Sequence, residues 1–110
     1  MKNYSTKWIL QRVTAIILIP LTFWFIYQCI LLSNQSYTAT RSFFFSKLNV
    51  LLFLILMLTM LYHAKLGCET IVEDYVKSNN LKKITKILLS ILIYFFMSIT
   101  ILSLFVLGIE

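Results

Sequence analysis

Apolar residues fall in three blocks separated by short polar stretches. The first covers residues 13–32 and is broken by Thr14, Pro20, Thr22 and Gln28. The second opens in the aromatic run Phe43, Phe44, Phe45 and continues over residues 48–62, and the third covers residues 87–109. Each is about 20 residues long, which at about 1.5 Å per residue matches the roughly 30 Å hydrocarbon layer of a bilayer. The pattern predicts three transmembrane helices, over about 12–32, 44–73 and 86–109. Three strands cannot close a barrel and the blocks lack period-2 alternation, so the expected class is an all-α integral membrane protein. With no linker or internal repeat in view, residues 1–110 read as one membrane domain.

Composition agrees: 60% of the 110 residues are hydrophobic and 13% charged, against about 45–50% and about 25% in ordinary soluble domains. Charge adds an orientation. Lys2, Lys7 and Arg12 precede the first block, Arg41 and Lys47 lie in the first loop, Lys65, Lys77, Lys82, Lys83 and Lys86 lie between the second and third, and Glu110 follows the last. The positive-inside rule then puts the N-terminus and second loop on the cytoplasmic or matrix side and the C-terminus opposite. The net charge of +6 reflects this topology and contact with anionic lipid; no soluble basic face is available for nucleic acid. The first block is too long for a secretory h-region and no small-residue cleavage site follows, so it reads as a mature anchor. Cys29 and Cys68 lack CxxC spacing and fall near opposite membrane faces, which argues against a disulfide or metal pair.

Polar residues inside the blocks carry the remaining information. Pro20 predicts a kink. Tyr27 and Gln28 on the first helix, and Ser90, Tyr94 and Ser98 spaced four apart on the third, read as hydrogen-bonding residues that hold a bundle together. The second helix differs. Thr59, His63, Gly67, Thr70 and Asp74 share one face if the helix continues to Asp74. His63 is the single histidine. A lone histidine in a soluble protein is more often structural, but ionisable groups within a membrane helix are costly and mark a functional path or cofactor by default.

Haem ligation suits this face: a neutral imidazole binds iron through one nitrogen, and Gly67, one turn away, leaves room for a macrocycle or a partner helix. A bis-histidine haem would take its second ligand from another polypeptide. Arg12 and Lys65 lie toward the inner face, where either can pair with haem propionates or lipid phosphates, and Lys65 reads equally well as a snorkelling interfacial cation. Asp74 and Tyr75 close the helix at the water boundary. A phenol there can donate to a quinone carbonyl while the adjacent carboxylate orients it or passes protons, although tyrosine is also enriched at membrane interfaces.

The run His63-Ala64-Lys65-Leu66-Gly67, followed by Val72-Glu73-Asp74-Tyr75-Val76-Lys77, resembles the small hydrophobic membrane-anchor subunits (cytochrome b small subunit type) of succinate dehydrogenase, respiratory complex II. Trp8-Ile9-Leu10-Gln11-Arg12-Val13-Thr14-Ala15-Ile16 is similar to the Arg-x-Thr-Ala entry of that family into its first helix. The likeness covers essentially the whole chain. It implies His63 as axial ligand to haem b, Tyr75 as hydrogen-bond donor to ubiquinone with Asp74 beside it, and Arg12 near the haem propionates and quinone pocket. It also implies a larger cytochrome b subunit supplying the second histidine, and iron–sulfur and flavoprotein subunits, the latter oxidising succinate, anchored on the inner face of a mitochondrial or bacterial inner membrane. Lys65 departs from the family, where an apolar or aromatic residue is common, and Ser78 stands where some relatives have proline. The competing expectation is a structural three-helix accessory subunit of another respiratory complex, with His63 hydrogen-bonded in the bundle and Tyr75 an interfacial anchor.

Overall fold

Serines punctuate the helices. The computed structural model describes residues 4–109, with the side chains of residues 5–107, and comprises α1 (Tyr4–Leu32), α2 (Tyr37–Phe45), α3 (Lys47–Tyr75) and α4 (Asn79–Ile109). Ser36 Oγ accepts the Ala39 N–H at 3.3 Å, Ser46 Oγ the Asn49 N–H at 3.5 Å and Ser78 Oγ the Leu81 N–H at 3.3 Å. Each satisfies an amide that the helix start would otherwise leave orphaned. At Ser78 the hydroxyl takes up the start of α4.

Three of these helices are long and apolar enough to cross a membrane: Ser5–Leu32, Lys47–Tyr75 and Asn79–Leu107. At 29 residues, α1 and α3 are each about 43 Å long, so both extend past an apolar layer of about 30 Å into the headgroup zones. Helix α1 continues through Pro20 without interruption. The short helix α2 was not expected. The aromatic run Phe43, Phe44, Phe45 lies on it rather than at the head of the second long helix, because Ser46 leaves helical geometry (φ −67°, ψ 122°) and starts α3 afresh. Lys2 and Glu110, which carry part of the predicted charge asymmetry, lie outside the described residues.

Helix α3 occupies the middle, packed on α1 and on α4, while α2 lies across α3 and α4. Both long pairings are antiparallel, as the contacts Lys7 to Glu69 and Thr14 to His63 show for α1 with α3, and Lys65 to Tyr94 and Glu73 to Lys86 for α3 with α4. At the α2 end, rings join the elements. Trp24 stacks on Phe43 at 6.0 Å, Phe43 meets Phe44 edge-on at 5.0 Å, and Phe53 of α3 takes Phe44 at 5.4 Å and Phe25 of α1 at 5.5 Å. Such pairs contribute about 0.5–1.5 kcal/mol each beyond area burial.

The apolar core is thin. Among the described residues, Leu56, Leu66, Ile93 and Leu104 are its buried members, and only Leu66 is fully enclosed. Among the described residues of α1, Thr14 alone is buried, while Ile16 and Phe23 are 67% and 70% exposed. Without water in the layer there is little drive to hide such side chains from lipid, so packing contacts and polar pairs have to hold the helices.

At the other end the pairs are ionic. Lys65 Nζ lies 3.2 Å from Glu69 Oε2 and 6.0 Å from the Tyr94 ring centroid, and Lys7 Nζ approaches Glu69 Oε1 at 3.5 Å. Lys65 and Glu69 are both buried, so Lys65 is neither a snorkelling cation nor open to a ligand's carboxylates. Glu73 gathers Lys82, at 3.8 Å, and Lys86 from α4. Two outcomes are expected in thermal unfolding of the detergent-solubilised chain. Leu66→Ala costs about 2–5 kcal/mol while Leu66→Met costs less than about 1.5. Glu69→Ala, which leaves Lys65 without its counter-charge, costs about 3–5 kcal/mol, and the paired change Lys65→Met with Glu69→Leu recovers most of it.

Candidate functional site

Helix α3 runs unbroken to Tyr75, so Thr59, His63, Gly67, Thr70 and Asp74 do share one face. The first four are half-buried and Asp74 is exposed, a gradient from the interior of the bundle to its charged end. His63 sits 12 residues before Tyr75, about 18 Å along the helix axis.

The imidazole is held from α1. His63 Nδ1 lies 2.8 Å from Thr14 Oγ1, and the same oxygen lies 2.8 Å from the Leu10 carbonyl and 3.0 Å from the Gln11 carbonyl. Thr14 is 7% exposed, so its only route to satisfaction is within this cluster. Among the described residues, no hydrogen bond reaches His63 Nε2. One turn along, a Cβ placed on Gly67 would stand 3.4 Å from Gln11 Nε2, so the space at this glycine is bordered by α1. Thr70 Oγ1 donates to the Leu66 carbonyl at 3.0 Å and is thereby occupied by its own helix.

The other predicted site residues are not gathered around His63. Arg12 precedes Thr14 by two residues, about 200° around the helix, and so leaves the face that meets α3. It is exposed, its Cζ 5.1 Å over the Trp8 ring. Tyr75 is 79% exposed beside the exposed Asp74. The chain thus presents two separate features, a tethered imidazole in its interior and an open phenol and carboxylate at one end. Among the described residues no three of His, Cys, Asp and Glu converge. Cys29 and Cys68 are exposed and unpaired.

Several expected roles differ in detail. Ser98 donates to the Tyr94 carbonyl of its own helix at 2.9 Å, and Ser90, Tyr94 and Ser98 line an open groove on α4 with Lys86, Ile91 and Phe95. Tyr94 alone of the three reaches another helix, through Lys65. Tyr27 is exposed and Gln28 half-buried, and neither makes a hydrogen bond among the described residues. The sequence reading missed Glu69, although an opposite charge four residues after Lys65 was a visible sign of an intrahelical pair. It also passed over Thr14 as a partner for His63, since single-helix periodicity says nothing about which residues meet across helices.

Comparison with known proteins agrees with this architecture. The chain matches the family described as succinate dehydrogenase/fumarate reductase transmembrane subunit over residues 2–107. It is 33% identical over 93% of its length to the succinate dehydrogenase hydrophobic membrane anchor subunit of Rickettsia prowazekii, covering 78% of that protein. It is 36% identical over 74% of its length to the subunit of the same description from Rickettsia bellii, covering 65% of it, just under two thirds. A succinate dehydrogenase membrane anchor subunit of Reclinomonas americana is 26% identical over 83% of the chain and 78% of that protein. With three apolar helices of membrane-crossing length and this match across nearly all of its residues, the chain belongs to the succinate dehydrogenase/fumarate reductase transmembrane subunit family.

Proposed function

We propose that this chain, together with a larger cytochrome b subunit, binds haem b and ubiquinone, anchors the flavoprotein and iron–sulfur subunits, and takes part in passing electrons from succinate to quinone. The observation that carries the reading is His63: a single histidine midway along a membrane-length helix, gripped at Nδ1 by Thr14 and with no hydrogen bond to Nε2 from the described residues. A ring fixed at one nitrogen and open at the other is the arrangement seen in metal-binding histidines generally. A second histidine ligand would come from the partner, because the chain has one histidine. Bound there, haem supplies a one-electron store.

At the charged end, the Tyr75 hydroxyl donates a hydrogen bond to a quinone carbonyl, and Asp74 accepts or relays a proton. Both are exposed in the isolated chain, which suits a pocket completed by other subunits. Arg12, stacked on Trp8 at the same end, is placed to meet a propionate or quinone from its exposed side. The membrane is a bacterial or mitochondrial inner membrane, with the 76–78 connection and the N-terminus on the inner face, where Lys77, Lys82 and Lys83 meet anionic lipid and the anchored subunits.

Two measurements on the purified complex test this. His63→Ala removes or shifts the b-type absorption difference between reduced and oxidised forms while the flavoprotein and iron–sulfur subunits still co-purify; an unchanged spectrum counts against His63 as ligand. Tyr75→Phe lowers succinate-driven quinone reduction about tenfold, the loss of one hydrogen bond to the reacting carbonyl, and leaves reduction of a soluble artificial acceptor intact. Equal quinone activity in the two proteins removes the hydroxyl from the mechanism.

A further inference from the structure

The cluster around Thr14 decides where the imidazole proton sits. A threonine hydroxyl has one hydrogen to give and two lone pairs to receive. Thr14 Oγ1 lies 2.8 Å from the Leu10 carbonyl and 3.0 Å from the Gln11 carbonyl, and both of those groups only accept. The hydrogen therefore points to the backbone, as it does in threonines that bond the preceding turn. Were it turned to His63 instead, Thr14 Oγ1 would face two carbonyl oxygens, at 2.8 and 3.0 Å, with no proton between it and either. The remaining contact, 2.8 Å from Oγ1 to His63 Nδ1, then needs its proton from the ring.

We infer that Thr14 is a positioning residue that fixes the His63 tautomer, holding the proton on Nδ1 and leaving the lone pair on Nε2. The proton placement stands on the hydrogen-bond inventory alone; its consequence for haem rests on the reading of His63 as a ligand. The direction is the useful one. A neutral histidine coordinates through its unprotonated nitrogen, and a hydrogen bond from the opposite N–H orients the ring and raises its donor strength. Here the acceptor is an uncharged hydroxyl whose own hydrogen is committed to backbone, so the lock introduces no charge into the apolar layer. It also couples two helices to one atom: α1 sets the acceptor and α3 carries the ring.

The single histidine makes the test direct. The full chain, labelled with ¹⁵N-histidine and reconstituted without haem in lipid bilayers, gives one pair of ring nitrogen signals in solid-state NMR. The expected spectrum shows Nδ1 protonated and Nε2 bare; a proton on Nε2 overturns the inference. In the assembled complex, Thr14→Val removes the acceptor with little change of volume, and Thr14→Ser keeps it. Thr14→Val is expected to weaken haem retention about 10–100-fold, the usual effect of losing a partner behind a metal ligand, and to shift the haem midpoint potential upward. Thr14→Ser is expected to stay near the parent on both. Parent-like haem retention and potential in Thr14→Val overturns the role, and so does a Thr14→Ser protein that fails as badly as Thr14→Val. If the parent complex holds no b-type haem, the proposed ligation falls, while the NMR result still decides the tautomer.

Discussion

An apolar layer offers no water, so every polar group carried into it must find its partner within the protein. Backbone groups meet this demand by forming helices, and the side chains meet it by pairing. In this chain Thr14 turns to Leu10 and His63, Lys65 to Glu69, Thr70 to Leu66, and Ser98 to Tyr94. Three of these, Thr14 to Leu10, Thr70 to Leu66 and Ser98 to Tyr94, stay within about one turn of their own backbone, and Lys65 with Glu69 stays on one helix. Those that cross, Thr14 with His63 and Lys7 with Glu69, fix how α1 sits on α3. A core with one fully enclosed leucine gives apolar packing a modest share of that work.

The polar contacts are also sorted along the bundle. Ion pairs occupy the end where α1 begins and α3 finishes, the neutral hydroxyl and imidazole lie deeper, and stacked rings close the end near α2. Charge thus declines with depth, following the cost of desolvation. The deepest ionisable residue is held by a neutral partner, and this leaves the electrostatics of its free nitrogen to whatever binds beside it. Tyr75 and Asp74, by contrast, stand exposed at the charged end of the bundle.

Sequence alone was enough for the three spans, because membrane crossing is a matter of apolar length and composition. It was not enough for α2. Hydropathy merges Phe45 with the apolar run after Lys47, whereas the chain breaks at Ser46, whose hydroxyl caps the start of α3. Nor was the Thr14 contact legible. Thr14 lies 10 residues from the start of α1 and His63 12 residues from the end of α3, similar depths for antiparallel helices. Depth narrows the candidates, but which faces meet depends on interhelical rotation, which a single sequence does not encode. Lys65 shows the reverse case: its partner Glu69 was local and readable, one turn further along the same helix.

That locality bears on how the helix enters the bilayer. Lys65 and Glu69 are one turn apart on α3, so their pairing requires only that α3 be helical, and helix formation runs far ahead of helix association. The segment can therefore present itself to the insertion machinery with Lys65 and Glu69 already cancelling near its charged end, before α1 is in contact. Lys7 joins Glu69 only when the helices dock, and the same docking brings Thr14 to His63. Insertion and site assembly are in this way separate events, and the imidazole acquires its orientation only in a chain that has already committed to the membrane.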